Sequence, residues 1–220
     1  MFAAAAVIAA VSVAGFLIVS STGARPLTPS ANPEHPGRRA DLALPVVLTM
    51  LMGFGSSVFW TFGRSVAEDA ASLDERSSLL FWGAIGAAGV VGALSGDLCG
   101  RLGIRSAWSA GSLLLGASIV ALPLTVGLGS AAVSGGIFGA VYVIACGLTI
   151  ELAREAWPQA MGTSTAILFA TIAVGQATGG AVAGLLLGSI DMTSLFTMGG
   201  ALTAIGASLV WFLPCRRGRA

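Results

Sequence analysis

The sequence predicts an all-α integral membrane protein of about seven transmembrane helices. Three observations carry that expectation. Hydrophobic residues make up 55% of the 220-residue chain and charged residues only 10%, with a mean hydropathy of +0.90. A soluble domain carries about 25% charged residues, so this chain has too few polar groups to cover a surface facing water. The apolar residues also fall into seven stretches of about 20, the length a helix needs to cross ~30 Å of hydrocarbon. Finally, glycine supplies 31 residues, about twice its usual share, as expected of membrane helices packed backbone to backbone.

In chain order the expected spans are 3–20, 42–62, 78–95, 106–126, 130–150, 161–188 and 193–214. The first stands apart from the rest. Residues 21–41 hold Pro26, Pro29, Pro33 and Pro36 among polar neighbours and predict a flexible linker. The other six spans form one bundle over 42–214, followed by a basic tail at 215–220. The connections differ in character. Residues 64–77 are acidic through Glu68, Asp69, Asp74 and Glu75, and 96–105 are short and basic. Residues 127–129 and 189–192 predict tight turns. The charged segment 151–160 contains Pro158, which is expected to open the next helix.

Arginine placement predicts the orientation, because basic loops stay on the cytoplasmic side. Arg25, Arg38, Arg39, Arg101, Arg105, Arg154, Arg216, Arg217 and Arg219 fall on one side of the membrane, and Arg64 and Arg76 on the other. The linker and C-terminus are therefore expected inside the cell and the N-terminus outside. Residues 1–24 also admit a signal-peptide reading through the small residues Thr22 and Ala24. Against it stand the missing positive n-region and the basic linker, which cleavage would leave outside. The favoured reading is an outside-to-inside span that ends an absent upstream half.

Composition excludes several functions. The chain has no lysine, so retinal-type Schiff-base chemistry and any lysine nucleophile are ruled out. One histidine (His35) and three scattered cysteines (Cys99, Cys146, Cys215) give neither a metal site nor a disulfide framework. No cofactor is expected. There is no Ser/His/Asp set and no phosphate loop, so no enzyme activity is expected. A net charge of +1 argues against nucleic acid as a partner. The lipid bilayer and a small solute are the expected partners.

Two segments carry a resemblance. Residues 96–105, Gly-Asp-Leu-Cys-Gly-Arg-Leu-Gly-Ile-Arg, are similar to the loop motif G-x-L-x-D-R-x-G-R-[RK] of the major facilitator superfamily. Gly96, Leu98, Arg101, Gly103 and Arg105 match, while Gly100 replaces the motif's aspartate and Ile104 an arginine. Asp97, three residues early, is the available substitute. Pro158-x3-Gly162, Gly175-Gln-x2-Gly179 and Gly184 resemble the family's P-x3-G and G-Q-x2-G-P-x3-G pattern, with Gly180 where proline is usual. The chain thus resembles the C-terminal half of such a permease, family helices 6 to 12. Residues 53–64 and the acidic segment after them look most like bacterial efflux-type members for sugars or drugs. The resemblance implies alternating-access transport of a small organic solute, with the site completed by an N-terminal half or by a second copy. The chain would be a partial one.

A transporter needs a polar path near the midplane and a gate at each end. On the second span Thr49, Gly53, Ser56, Ser57, Trp60 and Arg64 share a 100° arc. Leu51, Phe54, Val58 and Phe62 lie opposite. The arc is either a cavity wall, with Trp60 and Arg64 toward the outer mouth, or a helix contact with interfacial anchors. Gln176, mid-span, faces solute or bonds a neighbouring helix, because hydrocarbon supplies no partner. Tyr142, the only tyrosine, either orients solute or fills the core. Ser56, Ser57, Trp60, Arg64, Tyr142 and Gln176 are the candidate solute-binding residues.

Gly180, Gly184 and Gly188 suggest a close-packing stripe, while Gly83, Gly86, Gly89, Gly92 and Gly96 wind around the third span. On the inner side Glu151, Arg154 and Glu155, level with Arg101 and Arg105, either latch a gate together with the motif glycines Gly96 and Gly103 or simply end a solvated helix. No carboxylate sits deep in any span, so a proton-coupling acid would be Glu151 or lie in the other half. A seven-helix sensor or a non-transporting scaffold fits the span count but leaves both motif segments unexplained.

Overall fold

The computed structural model describes residues 39–213. The expected helix at 3–20, nearly all of the linker and the tail at 215–220 lie outside the described residues. Within them, six helices are long and apolar enough to cross a membrane. Helix α1 is Ala43–Ala71. The second span begins as α2, Glu75–Ala88, tightens into a 3-10 stretch at Gly89–Leu94, and continues as α3, Ser95–Leu102. Then follow α4, Ile104–Ala121, α5, Gly127–Ala156, α6, Met161–Leu186, and α7, Met192–Leu209.

The helices outrun the expected spans where charge begins. Helix α1 has 29 residues, or about 43 Å at 1.5 Å per residue, against ~30 Å of hydrocarbon. Its last two turns carry Arg64, Glu68 and Asp69 beyond the apolar part. The expected acidic connection is therefore largely helical. It ends at Ser72, whose left-handed backbone (φ 51°) lets the next N–H, that of Leu73, reach the Glu68 carbonyl at 3.1 Å. Helix α5 likewise runs through Glu151–Ala156 before Pro158 starts a 3-10 turn, Pro158–Ala160, that leads into α6. The motif segment 96–105 is also helix rather than loop, since α3 covers most of it. Only Gly103, at φ +76°, turns the chain into α4.

Two short connections are closed by aspartates. Asp74 accepts from the Ser77 N–H at 2.9 Å to cap α2, and Asp191 accepts from the Ser194 N–H at 2.9 Å and its hydroxyl at 2.7 Å to cap α7. Their serine partners hold both carboxyls below the usual carboxylate value, because these bonds favour the charged form.

Helix α1 packs mainly on α6 and α7, α2 on α5, and α4 on α7 and α5. Glycine makes these approaches possible. A Cβ on Gly53 would lie 2.3 Å from the Ile172 carbonyl oxygen, one on Gly175 2.7 Å from that of Met50, and one on Gly179 2.5 Å from that of Phe54. The close-packed stripe of α6 is therefore Gly175–Gly179, flanked by buried Ile172 and Ala183. The stripe expected at Gly180, Gly184 and Gly188 is not the packed one: Gly184 and Gly188 have nothing within 4 Å. In the second span only Gly89 and Gly92 approach a neighbour, Val143 of α5, next to the 3-10 stretch. Phe59 and Phe138 stack at 3.6 Å in the core, with Phe81 and Phe196 around them.

Candidate functional site

Four helices converge on one aromatic cluster. Helix α1 supplies Trp60, α2 Trp82, α5 Phe138 and Tyr142, and α6 Gln176. Trp60 lies edge-on to Phe138 and to Tyr142, each with centroids 5.3 Å apart, and is offset-stacked on Trp82 at 6.2 Å and 23°. Phe138 and Tyr142 stack at 5.7 Å. Trp60 keeps 38% of its surface exposed, and Trp82, Tyr142 and Gln176 are half-buried. The cluster therefore presents open ring faces at the edge of the bundle.

One polar pair sits among the rings. The Gln176 Nε2 donates to the Tyr142 hydroxyl at 2.8 Å. That bond uses one of the amide's two N–H donors and one lone pair of the phenol. The Tyr142 O–H, the Gln176 Oε1 and one N–H are left. Tyr142 lies midway along the 30 residues of α5 and Gln176 near the middle of α6. Cys146, a free thiol one turn beyond Tyr142, is half-buried. Helix α6 carries no charged residue. On α1 the nearest charges to Trp60 are Arg64 and Glu68, one and two turns on, and they bond each other at 2.8 Å. On α5 the nearest to Tyr142 is Glu151, nine residues away.

The rest of the expected arc on α1 is covered. Thr49, Ser56 and Ser57 are buried, and their hydroxyls donate to carbonyls one turn back, those of Pro45, Gly53 and Phe54. Ser57 lies against Gly179 of α6. Within this bundle only Trp60 and Arg64 of the arc are exposed. The opposite face is covered as well at Val58, which is buried against Gly199 of α7. Sequence reasoning passed over Trp82. A signal was present: Trp60 is eleven residues from the end of α1 and Trp82 seven from the start of α2, so folding the hairpin at its acidic turn brings the two indoles to similar depth.

Around the motif segment and the end of α5 the ion pairs stay within single helices. Arg101 bonds Asp97 at 2.9 Å on α3. Arg154 bonds Glu151 at 2.7 Å on α5. Arg105 donates to the Leu213 carbonyl, tying the start of α4 to the chain that follows α7. Glu155 is half-exposed beside them, and Gly96 and Gly103 have nothing within 4 Å. Of the groups expected to latch across these helices, Arg101 and Glu151 each bond a neighbour on their own helix.

Residues 1–211 match a family described as "Uncharacterised MFS-type transporter YbfB". No curated protein matches the chain.

Proposed function

The chain belongs to that MFS-type transporter family, and we propose that it moves a small organic solute across the membrane by alternating access. The observation that carries this reading is the convergence of Trp60, Trp82, Tyr142 and Gln176 from four helices at an open edge of the bundle. Ring faces with a hydrogen-bonding pair near mid-depth are what a solute needs in order to leave water without losing every polar contact. Solute stacks on the two indoles and bonds the Gln176–Tyr142 pair, while Arg64 guards the outer mouth. The resemblance to the C-terminal half of a permease supports a second six-helix half, or a second copy, as the opposite wall. The arginine distribution supports a cytoplasmic C-terminus in the cell membrane, and efflux-type members are the nearest in look.

Residues Gly96, Arg101, Gly103, Arg105, Glu151, Arg154 and Glu155 form the inner gate in this reading. Exposed ion pairs are worth ~0–1 kcal/mol, enough to bias an even balance between inward- and outward-open states. The gate works by exchange, with the pairs on α3 and α5 trading partners as the halves rock.

The test is solute flux in cells expressing the chain together with its partner half. Trp60→Ala and Gln176→Leu should lower flux severalfold at unchanged membrane expression. Gly184→Ala, which meets nothing within 4 Å, should leave it intact. Equal flux in all three variants would remove the site.

A further inference from the structure

Building on that site, we infer that its solute is an uncharged, flat ring carrying a hydrogen-bond donor and acceptor side by side, as in a cyclic amide. Three features of the cluster converge on this class.

The first is shape. Trp60 and Trp82 are tilted by only 23° with centroids 6.2 Å apart, and Trp60 is well exposed. Two offset, nearly parallel indoles offer broad faces to a planar guest. Flat rings stack on such faces.

The second is the polar pair. Because Gln176 donates to the Tyr142 oxygen, the tyrosine O–H is free to donate outward. The Gln176 Oε1 is free to accept. An acceptor and a donor standing next to each other call for a donor and an acceptor next to each other on the guest. A cis N–H and C=O in a ring meets both at once. A sugar also carries donors and acceptors, but its puckered ring uses the indole faces less fully.

The third is charge. Among the described residues the cluster contains no ionised side chain. The nearest charges on its helices, Arg64 and Glu68, already neutralise each other. A charged guest at mid-depth would lose its water with no counter-ion to replace it. An aromatic cage can hold a cation by its ring faces, but here no carboxylate stands among the rings to pair with one, since Glu68 is taken by Arg64.

The test uses the full chain in lipid nanodiscs and tryptophan fluorescence. Uracil and cytosine are the amide probes. 1,3-Dimethyluracil keeps the ring without the donors, phenyltrimethylammonium is the cation, and benzoate the anion. Uracil or cytosine should quench saturably, with the quench lost in Trp60→Phe. Dimethyluracil should bind roughly tenfold more weakly, the size expected for one or two lost hydrogen bonds. That gap should close in Gln176→Leu, which removes the acceptor for the ring N–H, and persist in Tyr142→Phe, which weakens both ligands alike; both ions should be inert. If phenyltrimethylammonium or benzoate binds better than the amides, with the quench still dependent on Trp60, the site stands and the solute class falls. If neither amide quenches, the class also falls. The transport variants then decide the site independently: flux loss in Trp60→Ala keeps it, and unchanged flux removes it too.

Discussion

Gly53 sits where α1 and α6 come closest, and Gly53→Ala is the sharpest perturbation of that contact. The added Cβ would lie 2.3 Å from the Ile172 carbonyl oxygen, 3.0 Å from its carbon and 3.1 Å from its Cα. All three are backbone atoms, so no rotamer change relieves the clash. Restoring normal contact requires the helices to part by roughly 1 Å. A gap of that size forfeits a quarter to a half of each nearby dispersion well, and overpacking of this kind costs about 1–3 kcal/mol. Alanine recovers up to about 1 kcal/mol through helix propensity. With that recovery in full, the expected net loss is about 0–2 kcal/mol. Between membrane helices packing itself holds the contact, since lipid tails are as apolar as the side chains. The control is Gly184→Ala on α6, with nothing within 4 Å, which should be neutral or gain up to about 1 kcal/mol. Thermal midpoints of the two variants in one detergent, read by size-exclusion fluorescence, measure the difference. If both substitutions shift the midpoint alike, the glycine-mediated contact between α1 and α6 does not hold the bundle and the packing argument fails.

Acid should weaken the two capped turns. Asp74 and Asp191 have lowered folded-state values, so their stabilisation is complete above the unfolded carboxyl pKa, about 3.9, and fades as pH falls through the lower folded one. Asp74→Asn and Asp191→Asn should flatten the low-pH limb of the melting curve, and an unchanged limb would mean the caps contribute nothing. Arg105→Ala removes the bond to the Leu213 carbonyl; it should speed proteolysis at the C-terminal end and leave cleavage near the turn between α1 and α2 unaltered. For the inner gate, charge reversals at Arg101 and Glu151 should each shift the inward/outward balance, and the swapped double mutant should restore it; strictly additive effects would mean the residues never meet. Cys99 on α3 should react with an impermeant thiol reagent only from the cytoplasmic side, and its labelling on intact cells would reverse the orientation.

The six spans were legible because hydrocarbon demands long apolar runs, and hydropathy records them directly. Their ends were not, since a helix does not stop where the bilayer does. Arg64–Glu68 and Glu151–Arg154 are charged yet helical, each paired along its own helix. Helical periodicity grouped Ser56, Ser57 and Trp60 correctly on one arc, but an arc does not say what covers it. Gly175 and Gly179 bring α6 down on α1 from Met50 to Ser57 and leave the indole open. Gln176 and Tyr142 each stood out as isolated polar groups in apolar spans. Their bond to each other, across 34 residues, depends on how α5 and α6 sit together, which no local pattern encodes. Trp82 was passed over as one aromatic in the run Leu79-Leu80-Phe81-Trp82, although the spacing of the two indoles from the hairpin turn pointed to it. Asp97 stood out only for lying three residues before the motif's aspartate position; that it pairs with Arg101 follows from 96–102 being helix, where residues four apart share a face.

The most direct test of alternating access at this site is the two-sided accessibility of Cys146, one turn from Tyr142 on α5. In a Cys99→Ser, Cys215→Ser background, coexpressed with the partner half, an impermeant maleimide is applied to right-side-out and to inside-out vesicles. A transporter that exposes the site to each side in turn predicts labelling in both preparations, slowed in both by the transported solute. A sensor or a static scaffold opens to one side at most. Labelling from a single side, or labelling from both sides that solute does not slow, would contradict the account.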